Sequence, residues 1–177
     1  MSSPEIQFML PAGVTLKKLT SHVDSRGSLV EIFRDEWQCG VEPVQWNCVT
    51  SAAGVLRGVH LHLVHADYLV IIQGRMELAL VDCRNNSATK GSAMIVPMEP
   101  VTAIVIPPGV AHGFYFPEPS LHIYSVDHTW NVDDELGCQW NDPDLRLNWS
   151  FTDATISPRD ASLPPFAELL KVLPSEL

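Results

Sequence analysis

A succession of short apolar segments, separated by turn-forming residues, most constrains how this chain can fold. Each segment is rich in Val, Ile and Leu and is bounded by Gly, Pro, Asn or Asp; in chain order they read VQWNCVT, LRGVHLHLV, YLVIIQG, RMELALVD, AMIVPM, TAIVIPPG and LHIYSVD. Segments of this kind predict short β-strands, and a series of them predicts an all-β sandwich or barrel.

Two other stretches complete the predicted organisation. CRNNSATKG is polar and predicts a hairpin-like loop between strands. PPFAELLKVL, near the C-terminus, begins with proline and has apolar residues at helical spacing, so it predicts a short helical segment. No repeat or linker divides the 177 residues, of which 46% are hydrophobic, so residues 1–177 are predicted to form a single domain with a sizeable core.

Charge and cysteines limit the partners and the compartment. The formal net charge of −10 argues against a broad nucleic-acid surface, because phosphate contacts need clustered Lys and Arg. Cys39, Cys48, Cys83 and Cys138 show no CxxC spacing and are expected to be unpaired thiols in a reducing compartment. The N-terminus lacks the features of a secretion signal and no apolar run has membrane-spanning length, so we expect a cytoplasmic protein.

The stretch GVLRGVHLHLVHADYLVIIQG holds the residues richest in possible chemistry. Side chains alternate across a strand, so His60 and His62 share one face while Val59 and Leu61 share the other. With the apolar face packed between sheets, the histidines are expected to face the mouth or cavity of a barrel. There they can hold a metal ion, move a proton or simply fill space.

The spacing within this stretch resembles the first cupin motif, which is matched by Gly54, His60, His62, Asp67 and Gly74. PPGVAH partly matches the second cupin motif and adds His112. A cupin of this type binds a divalent metal, and three imidazoles with a carboxylate suit Fe, Ni, Mn or Zn. The alternative is that the histidines act without a metal, as bases or hydrogen-bond donors.

Six segments, in order along the chain, are similar to those of the dTDP-4-dehydrorhamnose 3,5-epimerase family. They are DSRGSLVEIF, QWNCVTSAAGVLRGVH, VDCRNNSATKG, IPPGVAHGFYF, GCQWNDPDLRLNW and ISPRDASLP. The resemblance implies a cupin-type jelly roll, a homodimer, and an enzyme that needs no metal or other cofactor. It also implies a nucleotide-sugar substrate, expected to be dTDP-linked, and epimerisation in deoxysugar biosynthesis.

The same resemblance assigns roles to individual residues. His60 is the base that removes a proton beside a 4-keto group, and Asp160 orients and charges its imidazole, as suits a side chain that titrates near neutral pH. Arginine side chains hold the diphosphate, since their planar fork matches phosphate oxygens; they are Arg26, Arg57 and Arg159. The other substrate-pocket positions are Glu31, Gln45, Asn47, His112 and Glu135.

The sequence departs from this family at three positions. The family has Lys at the position of Tyr68, a catalytic Tyr at the position of Trp130, and Gln at the position of His62. An indole N–H is not a practical acid, so we expect Tyr68 and His62 to take over the work of Lys and Tyr. Trp130 is expected to stack or pack in the pocket, and Trp140 to stack on the base of the nucleotide.

These departures keep several other functions open. RGVHLH also resembles the RGxHxH signature of the sugar-nucleotide 3,4-ketoisomerases, whose paired histidines shuttle protons through an enediol. A metal-dependent isomerase or oxygenase is a second alternative, because a bound cation could replace the lost Lys in stabilising an enolate. A non-catalytic sugar-nucleotide binder, which has kept the pocket and lost the acid, is the third.

Overall fold

The computed structural model describes residues 9–177, and it confirms the all-β prediction. Residues 1–8 lie outside the described residues. The predicted absence of a secretion signal and the start of the predicted domain rest partly on them. Antiparallel strands account for most of the regular structure. None of the helices in residues 9–177 has the length and apolar character that a membrane crossing requires.

The described residues form twelve strands and two short α-helices. The strands are β1 Thr15–Lys18, β2 Ser21–Asp24, β3 Gly27–Val30, β4 Gln45–Ser51, β5 Val55–Leu61, β6 Asp67–Gln73, β7 Met76–Asp82, β8 Ala93–Met98, β9 Thr102–Ile106, β10 Val110–Phe116, β11 Ser120–Val126 and β12 Leu136–Gly137. The helices are α1 Pro158–Ala161 and α2 Phe166–Val172. Short 3-10 turns cover Asp35–Trp37, Val132–Asp134 and Pro143–Leu145.

The predicted elements are found where the sequence placed them. Each of the seven apolar segments contains one strand, from β4 to β9 and β11, and α2 lies within PPFAELLKVL. CRNNSATKG joins the paired strands β7 and β8, as expected of a hairpin-like loop. Strands β1, β2, β3, β10 and β12 were not among the predicted strands; in β10, His112 and Gly113 interrupt the apolar character.

Two five-stranded sheets face each other in a cupin-type jelly roll. The first has the strand order β1-β9-β6-β11-β4 and the second β12-β5-β10-β7-β8, while β2 and β3 form a separate hairpin. An inner apolar cluster, with members such as Leu69 and Ile104 from the first sheet and Leu78 and Phe116 from the second, fills the space between them. This core closes one part of the sandwich, and a polar cavity occupies the other part.

The outer faces of both sheets are also covered. An outer cluster that includes Tyr68, Val70 and Val105 covers the first sheet. A C-terminal cluster packs Val59 and Leu61 of β5 against residues of the C-terminal segment such as Leu145 and Leu169. The apolar face of β5 therefore packs under the C-terminal segment and not between the sheets, which corrects the prediction and turns its histidines inward.

Asp82 anchors the loop between β7 and β8. Its buried carboxylate accepts hydrogen bonds from the Arg84 guanidinium at 2.8 and 2.9 Å and from the hydroxyls of Ser87 and Thr89 at 2.5 and 2.6 Å. Burial alone would raise the pKa of Asp82, but these hydrogen bonds outweigh it and lower the pKa to about 2. The ionised carboxylate thus stabilises the fold at neutral pH.

We expect Asp82→Asn to lower the free energy of unfolding at pH 7 by about 2 kcal/mol. The reason is that the folded state loses a carboxylate charge that accepts hydrogen bonds from three side chains. The pKa of the folded state lies below the ordinary value of 3.8, so the contribution is complete above about pH 4 and is lost as the pH falls towards 2. Urea unfolding followed by circular dichroism checks both points. The exposed Asp153→Asn is the control, and a difference between Asp82→Asn and the parent that grows on acidification would contradict the prediction.

Candidate active site

A cavity of about 470 Å³ opens between the two sheets. The inward faces of β4, β5, β6, β10 and β11 form its walls, and the segments around Trp130 and α1 form its rim. Its polar lining brings together residues that are far apart in sequence: Gln45, Asn47, Arg57, His60, His62, His65, Asp67, His112, His122, Tyr124, Trp130, Glu135, Arg159 and Asp160.

His60 and Asp160 form the shortest histidine–carboxylate contact in this cavity. Nε2 of His60 lies 2.7 Å from Oδ1 of Asp160, although 100 residues separate them in the chain. Ser157 caps α1 by accepting from the backbone N–H of Asp160, and the Gly58 N–H donates to the second carboxylate oxygen at 3.3 Å. Burial alone would raise the pKa of Asp160, but the hydrogen bond and charge of His60 outweigh it and lower the pKa. The pair is therefore held in one orientation, with the carboxylate ionised.

Glycine at position 58 allows β5 to approach β10 closely beside this pair. Gly58 has a φ of +110°, and a Cβ built there would lie 2.8 Å from both the Gly113 Cα and the His112 carbonyl oxygen. The register across these strands sets His60 opposite His112. The close approach of the two strands thus places two cavity histidines side by side.

A second cluster lies deeper in the cavity around Asp67. One carboxylate oxygen of Asp67 is 3.7 Å from Nε2 of His112 and 4.0 Å from Nε2 of both His62 and His65. Burial first, and then the charge of Glu135, raises the pKa of Asp67 well above its ordinary value. Two sets of side chains among the described residues have ligand atoms close enough together to hold a metal ion. They are His62, His65 and Glu135, and His62, Asp67 and His112.

Burial also sets the charge of the imidazoles in this cluster. Burial, followed by the charge of His65, lowers the pKa of His62 to about 4. Burial, followed by the charge of His62, lowers the pKa of His112 well below its usual range. Both rings are therefore neutral at physiological pH, and each keeps one nitrogen with a free lone pair.

Asp134 supports this cluster and has no signal in the sequence. Its buried carboxylate accepts from the backbone N–H groups of Leu63 and Val64, at 2.7 and 3.2 Å, and lies 3.0 Å from Nδ1 of His65. Its carbonyl oxygen accepts from Nδ1 of His62 at 3.1 Å. An aspartate between two other acidic residues resembles an exposed turn, so only the fold reveals this role.

The rim of the cavity is a linked set of predicted substrate residues. Glu135 accepts from the Arg159 guanidinium at 2.8 Å and from the Trp130 indole N–H at 2.9 Å, while Gln45 accepts from the Trp130 backbone and donates to Asn47. Burial alone would raise the pKa of Glu135, but the hydrogen bond from Arg159 is the largest of the interactions that together lower it.

Two residues of the cavity wall present polar groups for a ligand. Asn47 has a buried side-chain N–H group without a hydrogen-bond partner among residues 9–177. Arg57 donates to the Ser51 hydroxyl and the Thr50 carbonyl, which holds its guanidinium at the edge of the cavity. Both positions were predicted as substrate contacts.

Four predicted site residues lie outside the cavity of this chain. Tyr68 faces the outer side of β6, where its hydroxyl donates to the Ile32 carbonyl at 2.6 Å and its ring packs edge-on against Phe33 and Trp46. Trp140 packs in the C-terminal cluster and stacks on Phe151. Neither side chain lines the cavity for which it was predicted: the inward side chain at that end of β6 is Asp67, and Trp140 is held by the C-terminal cluster.

The other two of the four, Arg26 and Glu31, are exposed. Arg26 pairs with Asp24 on the hairpin of β2 and β3, and Glu31 contacts Arg34 just beyond it. Neither lines the cavity of its own chain.

His122 and Tyr124 line the cavity but were not predicted. Both lie on the inward face of β11, and the alternation of LHIYSVD would have placed them together. Burial, followed by the charge of Arg57, lowers the pKa of His122 to about 4. Burial, followed by the charge of Asp67, raises the pKa of Tyr124.

A jelly roll whose inner cavity holds an oriented histidine–carboxylate pair defines a cupin-type protein with an acid–base site. The family model described as dTDP-4-dehydrorhamnose 3,5-epimerase matches residues 10–168, and the chain belongs to this family of isomerases.

Curated relatives agree with this membership. The chain is 32% identical over 144 residues to the spore coat polysaccharide biosynthesis protein SpsL of Bacillus subtilis, which covers 78% of this chain and 95% of that protein. It is 30% identical over 164 residues to a dTDP-4-dehydrorhamnose 3,5-epimerase of Mycobacterium tuberculosis, which covers 85% of this chain and 81% of that protein.

Solved structures agree as well. An epimerase from Mycobacterium tuberculosis superposes with a TM-score of 0.83 at 30% identity, covering 89% of this chain and 86% of that one. ChmJ, a 3'-monoepimerase from Streptomyces bikiniensis solved in complex with dTDP-quinovose, superposes with a TM-score of 0.83 at 29% identity, covering 92% of this chain and 89% of that one.

Proposed function

We propose that this protein epimerises a nucleotide-linked 4-keto-6-deoxyhexose in deoxysugar biosynthesis, with His60 as the base. The observation that carries the proposal is the 2.7 Å contact between Nε2 of His60 and the ionised Asp160 in the cavity. A carboxylate accepts hydrogen bonds only, so Nε2 carries the proton and Nδ1 holds the free lone pair. The base is therefore set in the tautomer that can accept a proton.

The reaction begins with removal of a proton from the carbon beside the ketone. The C–H electron pair forms a C=C bond, the carbonyl electrons move to oxygen, and the proton passes to Nδ1 of His60. The resulting enolate needs hydrogen-bond donors around its oxygen. Asn47 offers such a donor in the cavity wall, because its buried side-chain N–H group has no protein partner among the described residues.

Inversion is completed when a proton returns to the opposite face of the same carbon. The Trp130 indole donates to Glu135 and is not a practical acid. Tyr124 is the tyrosine of the cavity lining, and its phenol is the candidate for this proton. His60 alone can return the proton only to the face from which it was removed.

A dTDP-linked substrate is the second part of the proposal. Arg57 and Arg159 line the cavity and are the guanidinium groups that can hold a diphosphate there. Structures of two relatives contain such ligands, namely dTDP-quinovose in ChmJ and dTDP-4-keto-L-rhamnose in an epimerase from Legionella pneumophila. The family membership supports the same ligand class for the present chain.

A cytoplasmic homodimer is the third part. The hairpin of β2 and β3 exposes Val23 and Leu29 and carries Arg26 away from the cavity of its own chain. A second copy that covers this hairpin would bury the apolar side chains and bring Arg26 to a neighbouring cavity. The four free cysteines support a reducing compartment. Light scattering after size exclusion tests the dimer.

Proton exchange tests the reaction itself. The purified protein is incubated with dTDP-4-keto-6-deoxyglucose in D₂O, and the sugar protons are followed by NMR. We expect deuterium at C3, at C5 or at both, because exchange at these carbons requires the enolate. A carbonyl that moves to C3 would indicate the 3,4-ketoisomerase instead, and retained dTDP binding without exchange would indicate a non-catalytic binder; each of these results contradicts the proposal.

A further inference from the structure

We propose that His62, Asp67 and His112 bind a first-row divalent cation, such as Fe²⁺, Mn²⁺, Co²⁺ or Zn²⁺, in the cavity. The inference departs from the metal-free enzyme that the family resemblance implies. It also departs from the four-ligand set that the cupin spacing predicts, because the structure leaves His60 out.

The orientation of the two imidazoles is the first argument. Nδ1 of His62 lies 3.1 Å from the Asp134 carbonyl oxygen, and Nδ1 of His112 lies 3.1 Å from the Val110 carbonyl oxygen. A carbonyl only accepts, so both Nδ1 atoms carry the proton and both Nε2 atoms hold a free lone pair. Histidines that ligate metals donate their other ring N–H in this way, which fixes the tautomer and the ring direction.

The distances between the donor atoms are the second argument. Nε2 of His112 and Nε2 of His62 lie 3.7 and 4.0 Å from the same Asp67 oxygen, which is too long for a hydrogen bond. Ligand atoms about 2.0–2.2 Å from a shared cation stand roughly 3–4 Å apart. The ligand atoms of all three residues lie within 4.8 Å of one another.

The buried carboxyl group of Asp67, which no donor among the described residues satisfies, is the third argument. Its carboxylate accepts no hydrogen bond from any of residues 9–177, and its side chain is only 8% exposed. Asp134 and Glu135 add further carboxylates nearby. The basic side chains nearest to Asp67 are imidazoles, not lysine or arginine. A buried carboxylate is stable when it is paired or coordinates a metal, and a cation at this point supplies that partner.

His60 is separated from this set by its own partner. Its Nε2 is held at 2.7 Å by Asp160, and His60 belongs to neither set of described side chains whose ligand atoms lie within 4.8 Å of one another. His65 is closer to the cluster, with Nε2 4.0 Å from the Asp67 oxygen and its ring stacked 3.9 Å from that of His62. Two imidazoles and one carboxylate leave coordination positions open, as in other sites that bind divalent transition metals.

A cation here would face the same cavity as His60. When bound, it would act as a Lewis acid for a ligand oxygen and supply the positive charge that no lysine provides on β6. This role rests on the proposed epimerisation, whereas metal binding by the three residues does not.

Cobalt binding tests the site without any sugar nucleotide. The full-length protein is stripped with a chelator, dialysed and titrated with Co²⁺, and binding is followed by calorimetry and by the visible ligand-field bands. We expect one Co²⁺ per chain. His112→Ala and Asp67→Asn should each weaken binding by more than the roughly 10- to 100-fold that loss of an outer-shell partner costs.

His60→Asn is the matched control, because it removes a cavity imidazole that lies outside the proposed set. It should keep the Co²⁺ affinity of the parent within about threefold, well below the loss expected for a ligand. Circular dichroism confirms that each variant is folded, and His62→Gln replaces either ligand variant that is not. Absence of saturable binding to the parent overturns the proposal, as does binding that the ligand variants leave unchanged or that His60→Asn abolishes. None of these readouts depends on exchange at the sugar, so a failure of the proposed reaction remains distinguishable.

Discussion

His60→Asn is expected to slow deuterium exchange at the sugar carbons by about 100- to 10,000-fold, the contribution typical of a general base. Asparagine keeps a polar group of similar reach but has no nitrogen that accepts a proton at neutral pH. Binding of dTDP should change little, since the nucleotide is held by other residues. NMR in D₂O measures the exchange, and calorimetry with dTDP measures binding.

His128→Asn is a matched control for this variant. His128 also faces a carboxylate, with Nδ1 3.0 Å from Asp127, but it is exposed and does not line the cavity. Its exchange rate should equal that of the parent. Exchange that survives in His60→Asn at more than about a tenth of the parental rate would contradict the role of His60 as the base.

The fold was predictable because strand signals are local. Apolar segments ended by Gly, Pro or Asn fix strand positions without knowledge of their partners, and α2 follows from proline and helical spacing. Strand β10 escaped because its middle residues, His112 and Gly113, are poor strand formers that the neighbouring β5 and β7 hold in place. Whether such a segment forms a strand depends on its pairing with other strands, and the local sequence does not specify that pairing.

The site was only partly predictable, for the same reason. His60 and Asp160 are 100 residues apart, and no local spacing in the sequence connects them. Only the family resemblance predicted that they form a pair. Tyr68 shows the opposite failure, because in a strand a displacement of one residue moves a side chain to the other face. Asp67 is the inward neighbour, which gives the cavity a carboxylate where the hydroxyl of Tyr68 was expected. Asp134 acts through backbone contacts that only the folded loop creates.

Asp160→Asn is expected to reduce exchange by about 1,000- to 10,000-fold although it removes no reacting group. In the parent, the Gly58 N–H donates to the second carboxylate oxygen of Asp160 at 3.3 Å. The carbonyl of the new amide can keep this hydrogen bond. The amide N–H₂ then faces Nε2 of His60 and must donate to it. The proton of the ring moves to Nδ1, where the reaction needs a lone pair; in serine proteases an inverted tautomer of this kind costs about 10,000-fold.

The tautomer itself provides a readout that a merely structural role of Asp160 would not move. Nitrogen NMR of labelled histidine should show Nε2 protonated in the parent and Nδ1 protonated in Asp160→Asn, while the exposed Asp153→Asn leaves the spectrum of His60 unchanged. The double variant with His60→Asn should be no slower than His60→Asn alone, because the two residues act as one unit. Additive losses, or a slow Asp160→Asn variant with the parental tautomer, would show that Asp160 supports the cavity by another route than the ring of His60.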